Sequence, residues 1–158
     1  MRDPAPHRSA YVDHSVHALR RSGARVTKPR LAVLACLAAT KRPLTARELL
    51  ETLREDESDT DVDQATVYRI LEAFVELGLV HRVGPDGGFV ACDHLGCGAE
   101  MHVVTRCSTC ARTAEIDMPP ELMASVRRHV EATLGFAPGD HFLQMSGTCA
   151  TCAGRRPE

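Results

Sequence analysis

Residues 63–92 read DQATVYRILEAFVELGLVHRVGPDGGFVAC, and the fold of the first half of the chain follows from them. Apolar side chains recur at helical spacing in the first part, so we expect a helix that Asp61 or Asp63 caps. The GPDGG segment is a turn signal between two short apolar strands, 79–83 and 89–92. A helix that leads into a β-hairpin is typical of the second half of a winged helix-turn-helix domain.

Two helices are expected directly upstream of this stretch, and a short basic helix at 16–21, which Gly23 ends, is expected before them. Thr27 is a suitable N-cap and is followed by Pro29 in the first turn, and apolar residues then recur up to about Thr40. Residues 45–48, Thr-Ala-Arg-Glu, form a capping box that opens a helix to about Arg54. Together with the hairpin, these helices predict a winged helix-turn-helix.

The sequence pattern changes near residues 93–100. We therefore expect an α+β protein, in which residues 1–93 form a winged-helix domain and residues 94–158 form a small α/β domain. The second domain should contain three strands and one helix that Gly135 ends. Residues 1–15 show no periodicity, which favours a flexible arm or a frayed first helix.

Composition is that of a globular protein, and no apolar run approaches the length of a membrane helix. The N-terminus has no apolar segment typical of a secretory signal, so the expected location is the cytoplasm, with no membrane partner. The net charge is −2, but residues 1–47 carry ten basic residues against two acidic ones. This asymmetry indicates a polyanionic partner, although a solvated helical face would look similar.

Two Cys-x-x-Cys pairs give the strongest chemical signal among the seven cysteines. Four thiolates from two tight turns can complete a closed tetrahedral shell around a structural Zn²⁺. A redox Cys-x-x-Cys is disfavoured because no thioredoxin-like pattern surrounds either pair. A zinc deaminase is disfavoured because its Pro-Cys-x-x-Cys motif would need a proline before Cys107, where this chain has Arg106. The predicted ligands are Cys107, Cys110, Cys149 and Cys152.

The segment Ala-Thr-Val-Tyr-Arg-Ile-Leu at 65–71 resembles the recognition helix of the ferric uptake regulator (Fur) family. The Arg-Val-Thr-x-x-Arg motif at 25–30 and the two cysteine pairs are also similar, and the likeness covers about residues 16–152. The zinc uptake regulator (Zur) branch is the most similar one. The resemblance implies that residues 1–93 are a DNA-binding domain and residues 94–158 a dimerisation and metal-binding domain. On the polar helix face, Arg69 can reach a guanine and Thr66 a methyl group or a phosphate. The expected DNA-binding residues are Arg25, Lys28, Arg30, Thr66, Tyr68 and Arg69, although packing would explain Tyr68 equally well.

The resemblance also implies a regulatory metal site. In Zur-like members a His and a Cys on the wing side join a His and a Glu of the second domain. Three of these positions correspond to His81, Cys92 and Glu115. The family's second histidine is displaced, because Glu100 stands at its position here; His102, which is nearest to a strand, is the expected fourth ligand, with His94 as the alternative. A thiolate ligand favours zinc over ferrous iron or manganese. A further site that some members carry could use His141 and Glu121 with His94 or His102, while the role of Cys97 stays open.

These features predict a zinc-responsive transcriptional repressor of metal-uptake genes, active as a zinc-loaded homodimer. Two recognition helices would meet a pseudo-palindromic operator in double-stranded DNA, and no organic cofactor is expected. An iron- or peroxide-sensing regulator of the same family is the first alternative. A zinc enzyme with an open catalytic position is the second, and a fourth protein ligand in the regulatory site argues against it.

Overall fold

The structure, a computed structural model, describes residues 4–55, 62–85, 87–92, 102–139 and 142–154, with the side chains from residue 9 onward. The chain divides into two compact units, residues 1–97 and 98–158. The predicted domain boundary after residue 93 lies outside the described residues, and it stays a prediction.

The first unit begins with an 18-residue helix, α1 (Pro4–Arg21). Tyr11, Ser15 and Leu19 follow one another at intervals of four, and all three are buried. A stripe at this spacing lies on one helix face, and here that face joins the core of the first unit. The expectation of a flexible arm was therefore wrong for residues 4–15, which the alternative of a first helix describes better.

Helices α2 (Lys28–Ala38) and α3 (Ala46–Glu55) lie where the sequence predicts them. The capping box of α3 is confirmed, because the Thr45 amide donates to Glu48 Oε2 at 2.7 Å and the Glu48 amide donates to Thr45 Oγ1 at 3.2 Å. Thr27 is the N-cap residue of α2 as expected, but its side chain makes no capping hydrogen bond. Val33, Leu34 and Leu37 of α2 are buried.

Asp63 is the N-cap residue of helix α4 (Gln64–Glu76), and its carboxylate accepts a hydrogen bond from the Thr66 amide at 2.7 Å. This bond decides between the two predicted caps. The Thr66 hydroxyl, and after it the Thr66 amide, holds the pKa of Asp63 below its ordinary value. The antiparallel strands β1 (Val80–Val83) and β2 (Gly88–Ala91) follow. Leu44 forms an isolated bridge to Phe89, so the hairpin is anchored beside α3. The winged helix-turn-helix is thus present. Four α4 side chains face the core, namely Val67, Ile70, Leu71 and Phe74.

The second unit contains strands β3 (His102–Cys107) and β4 (Thr113–Asp117), helix α5 (Pro120–Leu134) and strand β5 (Phe142–Gly147). The sheet order is β4-β3-β5, with β3 antiparallel to β4 and parallel to β5. Gly135 ends α5 in the left-handed conformation, at φ 63°, as predicted. In the described part of the chain, no helix has the length and apolar character that crossing a membrane requires.

Candidate metal centres and nucleic-acid interface

The four cysteines of the two Cys-x-x-Cys pairs meet at one edge of the second unit. Strands β3 and β5 are parallel and in register at Cys107 and Gly147, so both chains leave the sheet at the same end. The first pair begins at Cys107, the last residue of β3. The second pair begins at Cys149, and Thr148 separates it from the end of β5. The parallel pairing therefore brings together two motifs that lie about 40 residues apart, and their four sulfur atoms all lie within 4.8 Å of one another.

Each cysteine pair is held by the same kind of turn. The Ala111 amide donates to the Cys107 carbonyl at 2.9 Å, and the Ala153 amide donates to the Cys149 carbonyl at 2.9 Å. Sulfur atoms of Cys110 and Cys149 lie 3.9 Å apart. A tetrahedral zinc with Zn–S bonds of about 2.3 Å would place its sulfurs about 3.8 Å apart. The donor set and its spacing therefore fit a closed, four-thiolate metal shell.

Local hydrogen bonds prepare one of these thiols for ionisation. The Cys149 amide donates to Cys107 Sγ at 3.4 Å, and with the amides of Cys110 and Thr109 it lowers the pKa of Cys107 to about 5. The neighbouring sulfurs, Cys149 first, raise the pKa of Cys152 to about 12. Four thiolates cannot share so small a space without a cation, so this arrangement favours a thiophilic metal ion.

A histidine and a cysteine, two residue types that can bind a metal, lie together on the β-hairpin of the first unit. His81 pairs with Val90 across the hairpin, and Cys92 follows β2 with its amide bonded to the Leu79 carbonyl at 3.0 Å. This register puts His81 and Cys92 diagonally opposite each other on one face. Both are buried, and their ligand atoms lie within 4.8 Å of each other.

The second unit holds a matching pair on the β3–β4 hairpin. His102 pairs with Asp117 and Val104 with Glu115, so His102 and Glu115 are again diagonal neighbours. Their side chains are 1% and 4% exposed, and His102 Nε2 lies 3.9 Å from Glu115 Oε2. The Phe142 ring of β5 stacks on His102, with 6.2 Å between the ring centroids. This packing contact was not predicted from the sequence, because it depends on the parallel pairing of β3 with β5.

The polar face of α4 presents the predicted base-reading residues to solvent. Arg69 and Tyr68 are exposed, the latter by 43%, and Thr66 is half-buried. Arg69 Nη2 donates to Thr66 Oγ1 at 3.1 Å, so the guanidinium is held along the first turns of the helix. The exposure of Tyr68 makes ordinary core packing a poor explanation for this residue.

The start of α2 lies beside this face. A groove of about 370 Å³ is lined by residues of both elements, including Arg25, Arg30, Thr66 and Arg69. Arg30 Nη1 donates to the Arg25 carbonyl, 2.6 Å away, and so fixes the loop before α2. Lys28 is exposed outside the groove lining. Three of the predicted arginines thus surround one cationic groove, whose charge suits a nucleic-acid backbone.

The remaining predicted ligands are only partly described. Glu121 is exposed in the first turn of α5. His94, His141 and Cys97 lie outside the described residues. The accessory metal site that these residues would form therefore stays a prediction.

Comparison with known proteins supports a single family. A family model, the Ferric uptake regulator family, matches residues 21–146. The zinc uptake regulation protein of Escherichia coli (strain K12) is 30% identical over 138 residues, which cover 85% of this chain and 78% of that protein. The ferric uptake regulation protein of Pseudomonas putida is 35% identical over 127 residues, which cover 79% of this chain and 90% of that protein.

The fold agrees with these relatives. A solved zinc uptake regulator complexed with zinc and DNA aligns with a TM-score of 0.79 at 25% identity, covering 93% of this chain and 95% of that one. The relatives include regulators named for zinc and for iron, so their names alone leave the metal open. The family match and the winged helix with its cysteine-bearing second unit lead to one assignment: the chain belongs to the ferric uptake regulator family of metal-responsive, DNA-binding regulators.

Proposed function

We propose that this protein is a zinc-responsive repressor that binds its operator as a homodimer when zinc is abundant. The observation that carries the proposal is the buried thiol of Cys92 beside the imidazole of His81. Sulfur and nitrogen ligands suit Zn²⁺, whereas ferrous iron and manganese are held better by oxygen- and imidazole-rich sites. A metal-responsive regulator that carries this pair is therefore better matched to zinc than to iron.

The regulatory site would combine the His81–Cys92 pair with the His102–Glu115 pair. Each pair alone leaves two positions of a tetrahedral zinc open, and the two pairs together supply one sulfur, two nitrogens and one oxygen. One pair belongs to the winged-helix unit and the other to the second unit. A zinc bound to all four would restrict the motion of the recognition helix relative to the rest of the dimer.

A second zinc, bound by Cys107, Cys110, Cys149 and Cys152, would have a structural role. It has no open position in a four-thiolate shell, and it would tie the end of β3 to the segment after β5. Binding free energy at such a site is also folding free energy. Loss of this zinc should therefore unfold the second unit, whereas loss of the regulatory zinc should leave it folded.

The operator would be read by the cationic groove and the exposed face of α4. Arg69 would meet a guanine edge, and the arginines at the start of α2, which line the same groove, would meet phosphates. The second unit offers a surface for the second copy, because large apolar side chains are exposed on its sheet and on α5. These are Ile116, Leu122, Val126, Leu134, Leu143 and Met145. Monomeric proteins seldom leave such a set uncovered, which supports the homodimer.

Metal selectivity of DNA binding tests the proposal. The purified protein would be treated with a mild chelator that leaves the four-thiolate metal in place, and operator binding would be titrated with buffered Zn²⁺, Mn²⁺ and, without oxygen, Fe²⁺. Zn²⁺ should activate binding at free concentrations far below those needed for the other two ions. Activation by Fe²⁺ at an equal or lower free concentration would identify an iron sensor instead.

A further inference from the structure

We infer that Tyr11 of α1 is a positioning residue for the regulatory metal, and that the N-terminal helix is therefore part of the sensing unit. The inference rests on the proposed regulatory role of Cys92. The structural observation behind it concerns one backbone atom, the carbonyl oxygen of Leu79. That oxygen accepts a hydrogen bond from the Tyr11 hydroxyl at 2.9 Å and another from the Cys92 amide at 3.0 Å.

Leu79 lies at the open end of the hairpin, next to both proposed ligands. It comes directly before β1, two residues ahead of the ligand His81, and across the sheet it is bonded to the ligand Cys92. The Tyr11 hydroxyl thus attaches the open end of the hairpin, where both ligands lie, to the buried face of α1. Tyr11 is 5% exposed, and its bond spans 68 residues of sequence. Groups behind the ligands that fix their orientation commonly affect metal affinity by about 10- to 100-fold.

The same helix leads toward the predicted DNA-binding surface. Its buried stripe continues from Tyr11 through Ser15 to Leu19, and the Leu19 carbonyl accepts a hydrogen bond from the Ala24 amide at 2.9 Å. Ala24 and Arg25 line the cationic groove. Helix α1 therefore connects the ligand-bearing hairpin with the loop before α2 inside the first unit. Without the tyrosine bond, the ligands should be less well fixed, but the DNA-binding surface itself should be unchanged.

Tyr11→Phe removes only the hydroxyl, and Ser15→Ala is a matched control. The Ser15 hydroxyl is also buried and also donates to a backbone carbonyl, that of Tyr11, at 2.8 Å. Each variant removes a buried hydroxyl that donates to a backbone carbonyl, so Ser15→Ala controls for the loss of a buried hydroxyl from the same helix. Only Tyr11→Phe alters the hydrogen bonding of Leu79.

Operator binding titrated against buffered free zinc would separate the two variants. Tyr11→Phe should need about tenfold more free zinc for half-maximal binding, the lower end of the range for such groups, and should bind normally at saturating zinc. Ser15→Ala should match the wild type in both respects. Amide hydrogen exchange at Cys92 should also be faster in Tyr11→Phe than in Ser15→Ala when the regulatory zinc is removed.

Three results would overturn the inference. They are equal zinc midpoints for Tyr11→Phe and Ser15→Ala, unchanged exchange at Cys92, and a loss of operator affinity in Tyr11→Phe that persists at saturating zinc. Including Cys92→Ser in the same titration separates this inference from the proposed function. A zinc response lost in Cys92→Ser but unshifted in Tyr11→Phe would refute the role of Tyr11 alone. A normal response in Cys92→Ser would refute both.

Discussion

Replacement of Arg69 by alanine should cost operator affinity and base preference together. A bidentate arginine–guanine contact is worth about 1–3 kcal/mol of discrimination. In the free protein, however, the guanidinium already donates to Thr66 Oγ1 at 3.1 Å, and giving up such a bond costs about 0.5–1.5 kcal/mol. We therefore expect about 1–2 kcal/mol per half-site. A homodimer has two half-sites, so the loss should reach about 2–4 kcal/mol, or roughly 30- to 700-fold in Kd.

Fluorescence anisotropy on a selected operator, on single-base variants of it and on random duplex DNA would measure this effect. Arg69→Ala should lose its preference at one base pair in each half-site. Lys28→Ala is the matched control for loss of a positive charge, since Lys28 is exposed outside the groove lining. It should weaken every sequence alike and reduce the salt slope by about one. Should Arg69→Ala weaken operator and random DNA equally, Arg69 contacts phosphates and the recognition-helix argument fails.

Two further predictions concern folding. Cys107→Ser should remove the structural zinc, unfold the second unit and abolish dimerisation, because such sites contribute folding free energy of order 10 kcal/mol; a zinc-free, fully dimeric variant in metal analysis and sedimentation would contradict this. Hydrogen bonds from Thr45 lower the pKa of Glu48 below its ordinary value of 4.5. The ionised Glu48 carboxylate therefore stabilises the folded protein above that pH, and this stabilisation is lost as the pH falls through the lower pKa of Glu48 in the folded state. In urea unfolding, Glu48→Gln should therefore lose less stability than the wild type between about pH 5 and 3; parallel pH profiles would refute the linkage.

Local chemistry made much of the first unit predictable. The capping box at Thr45 and the N-cap at Asp63 are short motifs whose hydrogen-bond partners lie within three residues. The helix after Asp63 follows from apolar periodicity. Leu31, by contrast, fits the periodicity of α2 and yet is 36% exposed, because spacing alone does not fix which residues border the buried face.

Long-range pairing was the part that the sequence could not provide. The parallel register of β3 with β5 joins the two cysteine pairs and stacks Phe142 on His102, and no local pattern specifies a partner 40 residues away. The role of α1 was missed for the same reason, since the Tyr11 hydroxyl bonds to a carbonyl 68 residues further along. The four-residue spacing of Tyr11, Ser15 and Leu19 could have predicted the helix itself.

We propose, above all, that Cys92 is a ligand of the metal that controls DNA binding. The most direct test is operator binding against buffered free zinc for wild type, Cys92→Ser and the control Cys36→Ser, whose cysteine is half-buried in α2. Metal analysis would confirm that each protein keeps its four-thiolate zinc. We expect Cys92→Ser to remain dimeric but to lose zinc-dependent binding, and Cys36→Ser to respond as the wild type does. A Cys92→Ser protein that responds at the wild-type zinc concentration would contradict it.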